Sequence, residues 1–245
     1  MEISSLFFLL LFTVAFLYAS VGHGGASGYL ALMAIYGFAP EVMKPTALLL
    51  NLFVSLTAFI QFYRGRHFNW KIFLPLALAS IPMAFLGGQI SLDASVYKKI
   101  LGVLLLFPVA RFFFLPQKDE ELQQPSGMYW SLLMGAAIGF LSGLIGIGGG
   151  IILSPILLLA KWTNQKQTAA ISALFIFVNS LSGLFGQLTK GIHFSSDMIL
   201  MVVIAFGGGL LGAWLGSLKF RQEALKFILA GVLSLAAFKL LFTTA

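Results

Sequence analysis

Long apolar runs, interrupted by short polar or glycine-rich stretches, dominate the chain. In the first half they lie near residues 3–21, 25–38, 45–63, 71–90 and 98–115. In the second they lie near 128–145, 150–160, 167–188, 197–217 and 225–242. Most reach the roughly 20 residues a helix needs to cross a hydrocarbon layer. The runs are continuous and do not alternate at period two, so they predict helices rather than barrel strands. The fold class expected is an all-α polytopic membrane protein with about 8–10 transmembrane segments. The segments at 25–38 and 150–160 hold only 14 and 11 residues, a rise of about 21 and 17 Å. Counting them as crossings gives the preferred total of ten; if they are re-entrant, the total falls to eight.

Each short segment follows a glycine cluster. The first is Ser20-Val-Gly-His-Gly-Gly-Ala-Ser-Gly-Tyr29, the second Leu144-Ile-Gly-Ile-Gly-Gly-Gly-Ile-Ile-Leu153. Gly22, Gly24 and Gly25 match Gly146, Gly148 and Gly149 at a constant offset of 124. Gln61, Gly65, His67 and Phe68 match Gln187, Gly191, His193 and Phe194 at an offset of 126, and Gly102-Val-Leu104 matches Gly231-Val-Leu233. Ordered matches with small drift predict a duplication: a membrane repeat at 1–115, a polar linker at 116–127 and a second repeat at 128–245. Five segments per repeat is an odd number, so the second copy is expected to enter the membrane inverted.

Composition agrees. Of 245 residues, 59% are hydrophobic and 9% charged, against about 25% charged in soluble domains; the mean hydropathy is +0.98. The net charge of +7 comes from scattered loop bases with no basic stripe, so no nucleic-acid partner is expected. One face collects Arg64, Arg66, Lys71, Arg111, Lys118, Lys161, Lys166, Lys219, Arg221 and Lys226; the other collects Lys44, Lys98, Lys99, Lys190 and Lys239. The richer face is expected to be cytoplasmic, with both termini outside. Glu2, with no Lys or Arg before the first apolar run, argues against a cleaved signal peptide. Trp70, Trp130 and Trp162 stand at segment ends, where interfacial anchors belong. Zero cysteines exclude disulfides and thiolate chemistry.

No Asp or Glu lies in the middle of an apolar segment; Glu41, Asp93, Asp197 and Glu223 sit in connections. That argues against a carboxylate proton relay, a cation site built from acids and a paired-aspartate protease. No zinc-protease or G-x-S-x-G spacing is present. The protein is therefore read as a non-enzyme, with no catalytic residue, metal ligand or cofactor. What remains is backbone and neutral polar groups. A glycine break leaves the first N–H groups of the next helix unsatisfied, at the positive end of its dipole, which suits an anion. The candidate substrate-binding residues are Gly22, His23, Gly24, Gly25 and Ser27 in the first break, and Gly148, Gly149 and Gly150 in the second. Asn51 and Ser55 of the third segment join them, with Asn179 and Ser182 of the eighth. His23 is the one titrating group in a break, and Ile147 replaces it in the second copy. Gly207-Gly-Gly209 with Gly212 and Gly216, and Gly183 with Gly186, are read as close helix packing.

The two clusters, with Lys44-Pro-Thr-Ala-Leu48, Gln61-Phe-Tyr-Arg-Gly65, Trp70 and Ala173-Leu-Phe…Asn179-Ser-Leu-Ser-Gly183, resemble the TauE/SafE family of sulfite and organosulfur-anion exporters. The resemblance covers nearly the whole chain. It implies a multi-pass transporter of the cell inner (plasma) membrane. The implied cargo is a small sulfur-containing anion: sulfite, a sulfonate such as sulfoacetate, or thiosulfate. Partners are then this small inorganic or organosulfur anion and the lipid bilayer. A channel-like anion pore and a permease for another small ion are the alternatives.

Overall fold

The computed structural model describes residues 5–20, 24–114, 123, 127–192, 195–216, 234 and 237–242. Helices of the first half are α1 (Ser5–Ser20), α2 (Ala26–Ile35), α3 (Pro40–Arg64), α4 (Trp70–Gln89) and α5 (Ala94–Phe114). Those of the second are α6 (Met128–Ile145), α7 (Gly150–Leu159), α8 (Gln165–Leu188) and α9 (Ser196–Gly216), with a further helical stretch at 237–242. No strand occurs among the described residues. The chain is an all-α membrane protein, in which α3, α4, α6 and α8 are long and apolar enough to cross a bilayer. The tenth segment lies largely outside the described residues, as does the linker apart from Gln123 and Gly127.

Local chemistry sets where the long helices begin. Pro40 opens α3 behind Ala39, with Glu41 in the first turn and Arg64 in the last, both placed to complement the helix dipole. Asn69 caps α4 by accepting from Lys71 N at 3.0 Å. Asn164 and Gln167 form a reciprocal capping box at α8, at 2.9 and 3.2 Å. By contrast α2 and α7 start from glycine, and no side chain caps either.

The short helices fold back on their predecessors. Tyr18 and Ser27 share a 2.7 Å hydroxyl contact, and the Phe7 ring lies 5.1 Å from Tyr36 and 5.2 Å from Phe38. Thus α1 and α2 are antiparallel arms of one hairpin. In the second half, the start of α7 at Gly149 lies beside Ile138 of α6, and Gln123 N donates to Lys161 O at 2.8 Å just beyond the end of α7. Each short helix has ten residues and rises about 15 Å, half the hydrocarbon thickness. Neither crosses alone, so the expected count of ten full crossings changes at α2 and α7. Entry and return still cancel in the first half, where α3, α4 and α5 follow as an odd number of long helices.

Helices approach closely where glycine removes the side chain. Along α6, Gly135, Gly139 and Gly143 face the backbone of Leu76, Ser80 and Ala84 on α4; on α9, Gly208 and Gly212 face that of Phe12 and Phe16 on α1. Gly186 of α8 likewise meets the backbone of Phe85, and Gly183 lies against Gly88 and Gly143. Lys44 Nζ, at the start of α3, donates to Gly88 O at 3.2 Å and Ile90 O at 3.1 Å, so α4 returns antiparallel to α3. Meanwhile α8 runs alongside α4 in the same sense: Ser182 bonds Ile81 O at 2.6 Å and Gln89 reaches Thr189 at 3.4 Å. Consequently α3 and α8 run in opposite senses. They cross near their midpoints, where Asn51 Nδ2 donates to Ser180 Oγ at 3.2 Å.

Trp70 and Trp130 are exposed at the starts of α4 and α6, as interfacial anchors would be. Trp162 differs from that expectation. It is buried, because the turn between α7 and α8 folds it into the apolar core.

Candidate functional site

The site forms where the two glycine breaks meet α3 and α8. Gly25 is the N-cap of α2 at φ 82, ψ −3, and Gly149 the N-cap of α7 at φ 79, ψ −19. Left-handed backbone of this kind costs a residue with a Cβ about 1–2 kcal/mol, so both helices start on a conformation that favours glycine. The first backbone bonds inside them are Tyr29 N to Gly25 O (3.0 Å), and Ile152 N and Leu153 N to Gly149 O (3.1 and 3.0 Å). The N–H groups ahead of these face the break, at the positive ends of two helix dipoles.

Both breaks converge on the same side chains. A Cβ on Gly24 would stand 3.0 Å from Ile176 Cγ2 and 3.4 Å from Asn51 Oδ1. One on Gly148 would stand 2.7 Å from Asn51 Nδ2, 2.8 Å from Ile176 Cγ2 and 3.0 Å from Ser180 Oγ. A Cβ on Gly150 would again collide with Ile176, and one on Gly149 with Phe175 (2.9 Å) and Ile138 (3.0 Å). Asn51 is twelfth of the 25 residues of α3, and Ile176 twelfth of the 24 of α8. The meeting point therefore lies at the middle of both long helices.

Asn51 carries the polar chemistry there. It is fully buried, its amide nitrogen is used on Ser180, and Oδ1 has no partner among the described residues. A buried polar atom without a partner costs about 1–3 kcal/mol. Turning the amide by 180° would let Ser180 donate to Oδ1 and present the NH2 group to the break. Asn51 can thus offer either an acceptor or a donor. Ser55, one turn further along α3, is also fully buried with an unpartnered hydroxyl.

Not every expected residue joins this cluster. Gly22 and His23 lie outside the described residues. Ser27 faces α1, its hydroxyl shared with Tyr18. Asn179 is fully buried and donates to Phe175 O of its own helix at 2.8 Å, leaving Oδ1 unpartnered. Ser182 bonds Ile81 O and lines an apolar groove between α4 and α8, with Phe85 and Val178. Gly24, Gly25, Asn51, Gly148, Gly149 and Gly150 remain at the breaks, with Ser55 one turn along α3 from Asn51.

Ile176 was absent from the sequence-derived set, and Ser180 entered it only as a neighbour of Asn179 in the eighth segment. A usable signal was the drift in offset from 124 at the glycines to 126 at Gln61 and Gln187. Since α3 starts at 40 and α8 at 165, the offset there is 125, which pairs Asn51 with Ile176 and Ser55 with Ser180. Matching amide to amide, Asn51 to Asn179, hid this register. On the expected duplication in this register, an amide in the first half stands opposite an aliphatic side chain in the second.

Comparison with known proteins agrees with this membrane architecture. The family described as "Sulfite exporter TauE/SafE" matches residues 7–240. The chain is 35% identical over 234 residues to "Probable membrane transporter protein y4hK" of Sinorhizobium fredii, covering 94% of this chain and 95% of the relative. It is 25% identical to "Probable membrane transporter protein YdhB" of Bacillus subtilis, again covering 94% and 95%. "Probable membrane transporter protein YunE" of the same organism is 24% identical, over 83% of this chain and 81% of the relative. No solved structure matches the chain.

Proposed function

Because the chain belongs to the sulfite exporter TauE/SafE family of membrane transporters, we propose that it carries a small sulfur-containing anion outward across the cell's inner membrane. The cargo class is sulfite, a small sulfonate or thiosulfate, moved without chemical change. The observation that carries this reading is the convergence of two uncapped helix N-termini on the buried, half-satisfied amide of Asn51. Oxyanions accept hydrogen bonds only, and here N–H groups and a reversible amide can donate them. The two dipole ends together supply about one positive charge without a basic residue that would hold the anion too tightly.

Residues 1–115 and 128–245 are read as inverted copies, with the site between them. The opposite senses of α3 and α8 support this, as do the matched ten-residue helices α2 and α7. Their crossing point is closed: Asn51 and Ser180 are fully buried and Ile176 is 3% exposed. A closed site at mid-membrane favours alternating access over an open pore. One half would rock against the other to expose the breaks first to one face, then to the other. An interior-negative potential favours exit of the anion by about 2.3 kcal/mol per charge per 100 mV, so outward movement needs no relay acid.

Counterflow in proteoliposomes tests this. Labelled sulfite outside should exchange faster when unlabelled sulfite or methanesulfonate is trapped inside, and Gly149→Val should abolish the exchange. Flux that rises linearly with concentration, with no acceleration by trapped anion, would favour the pore instead.

A further inference from the structure

The two breaks differ in one further buried group, a tyrosine at the start of α2. Tyr29 is the fourth residue of α2 and is fully buried. Helical side chains lean toward the N-terminus of their helix, and the Tyr29 ring does so. Its hydroxyl stands 2.6 Å from where a Cβ on Gly25 would be. The phenol thus lies directly over the uncapped start of α2. That hydroxyl has no hydrogen-bond partner among the described residues, and the nearby Tyr18 hydroxyl is already engaged with Ser27. Buried tyrosines ordinarily find a partner for the O–H. At the equivalent place of the second half, 124 residues on, stands Leu153, also fully buried. A leucine therefore fills this packing position in the other copy, and the ring's one polar atom adds nothing to packing.

We propose that Tyr29 is a substrate-binding residue whose hydroxyl donates to the charged head of the anion at the start of α2. The inference rests on the anion-transport reading of the same site. It adds an orientation. The charged head lies toward α2, where the Tyr29 hydroxyl adds a donor to the Asn51 amide that both breaks share. The remainder of the substrate faces α7, where Ile138 and Phe175 make an apolar wall beside Gly149.

The test is equilibrium binding of sulfite and of methanesulfonate to the purified full-length protein, for wild type, Tyr29→Phe and Tyr29→Leu, with melting temperature measured without ligand. Wild type should bind at least one of the two probes. Both variants should bind it about 10- to 100-fold more weakly, as expected for a lost hydrogen bond to a charged group. Their unliganded melting temperature should be unchanged or higher for Tyr29→Phe, because an unpartnered buried hydroxyl is removed. A Tyr29→Phe protein that binds as wild type does would overturn the inference while leaving the transport reading intact. So would one that melts several degrees lower, which would make the hydroxyl structural. A wild type that binds neither probe would overturn both.

Discussion

Gly148→Ala and Gly24→Ala are nearly equivalent by sequence, yet their structural surroundings separate them. Gly148 has φ 72 and no room: its Cβ would stand 2.7 Å from Asn51 Nδ2 and 2.8 Å from Ile176 Cγ2. The left-handed backbone costs alanine about 1–2 kcal/mol. Pushing the Asn51 amide off Ser180 removes a buried hydrogen bond worth about 1 kcal/mol. The sum is about 2–3 kcal/mol, or roughly 4–12 °C in melting temperature for a chain of this size. The nearest neighbours of a Cβ on Gly24 are the flexible tips of Ile176 at 3.0 and 3.1 Å. Alanine there should cost under about 1 kcal/mol. The assay is thermal unfolding of both purified variants beside wild type, followed by anion flux for whichever folds. Gly24→Ala should stay folded while losing flux, since its methyl occupies the break. If Gly148→Ala melts with wild type, or below Gly24→Ala by less than 1 °C, the placement of the second break against Asn51 is wrong.

Lys44 is 9% exposed and donates to carbonyls at the C-terminal end of α4. Lys44→Met should destabilise the protein by about 1.5–3 kcal/mol, read as a lower melting temperature, and Lys44→Arg should recover part of it. Ser182→Ala removes a bond to Ile81 O on the face of α8 turned from the breaks, so anion flux should stay within about twofold of wild type in the same liposome assay.

Much of the fold was legible because membrane helices announce themselves through long apolar runs. The segment at 45–63 became α3, that at 71–90 became α4 and that at 167–188 became α8, each within a few residues. The two glycine clusters were legible too, since duplicated breaks stand out against helical sequence. Hydropathy could not show that α1 and α2 lie side by side. Apolar length records what lipid tolerates, whereas the Phe7–Tyr36 and Tyr18–Ser27 contacts decide direction. At the site, residue type misled where register would have served. Ser27 and Ser182 carry hydroxyls of the right chemistry but point to Tyr18 and Ile81. Ile176 has no polar atom to draw attention, yet it packs against the glycines of both breaks.

A related asymmetry concerns the faces of the membrane. Lys44 and Lys239, both expected on the face with fewer bases, donate to carbonyls at the C-terminal ends of α4 and α2. They act as helix caps, and discounting them as loop charges strengthens the expectation that the opposite face is cytoplasmic.

The central claim is that Asn51, between the two breaks, binds a sulfur-containing anion that crosses the membrane. The most direct measurement is uptake of labelled sulfite into proteoliposomes at a fixed potential, comparing wild type with Asn51→Leu. The account predicts saturable flux that follows the sign of the potential in wild type. In Asn51→Leu it predicts a loss of at least tenfold without loss of folded protein. Equal flux in the two proteins, or wild-type flux of cations and none of sulfite, would contradict it.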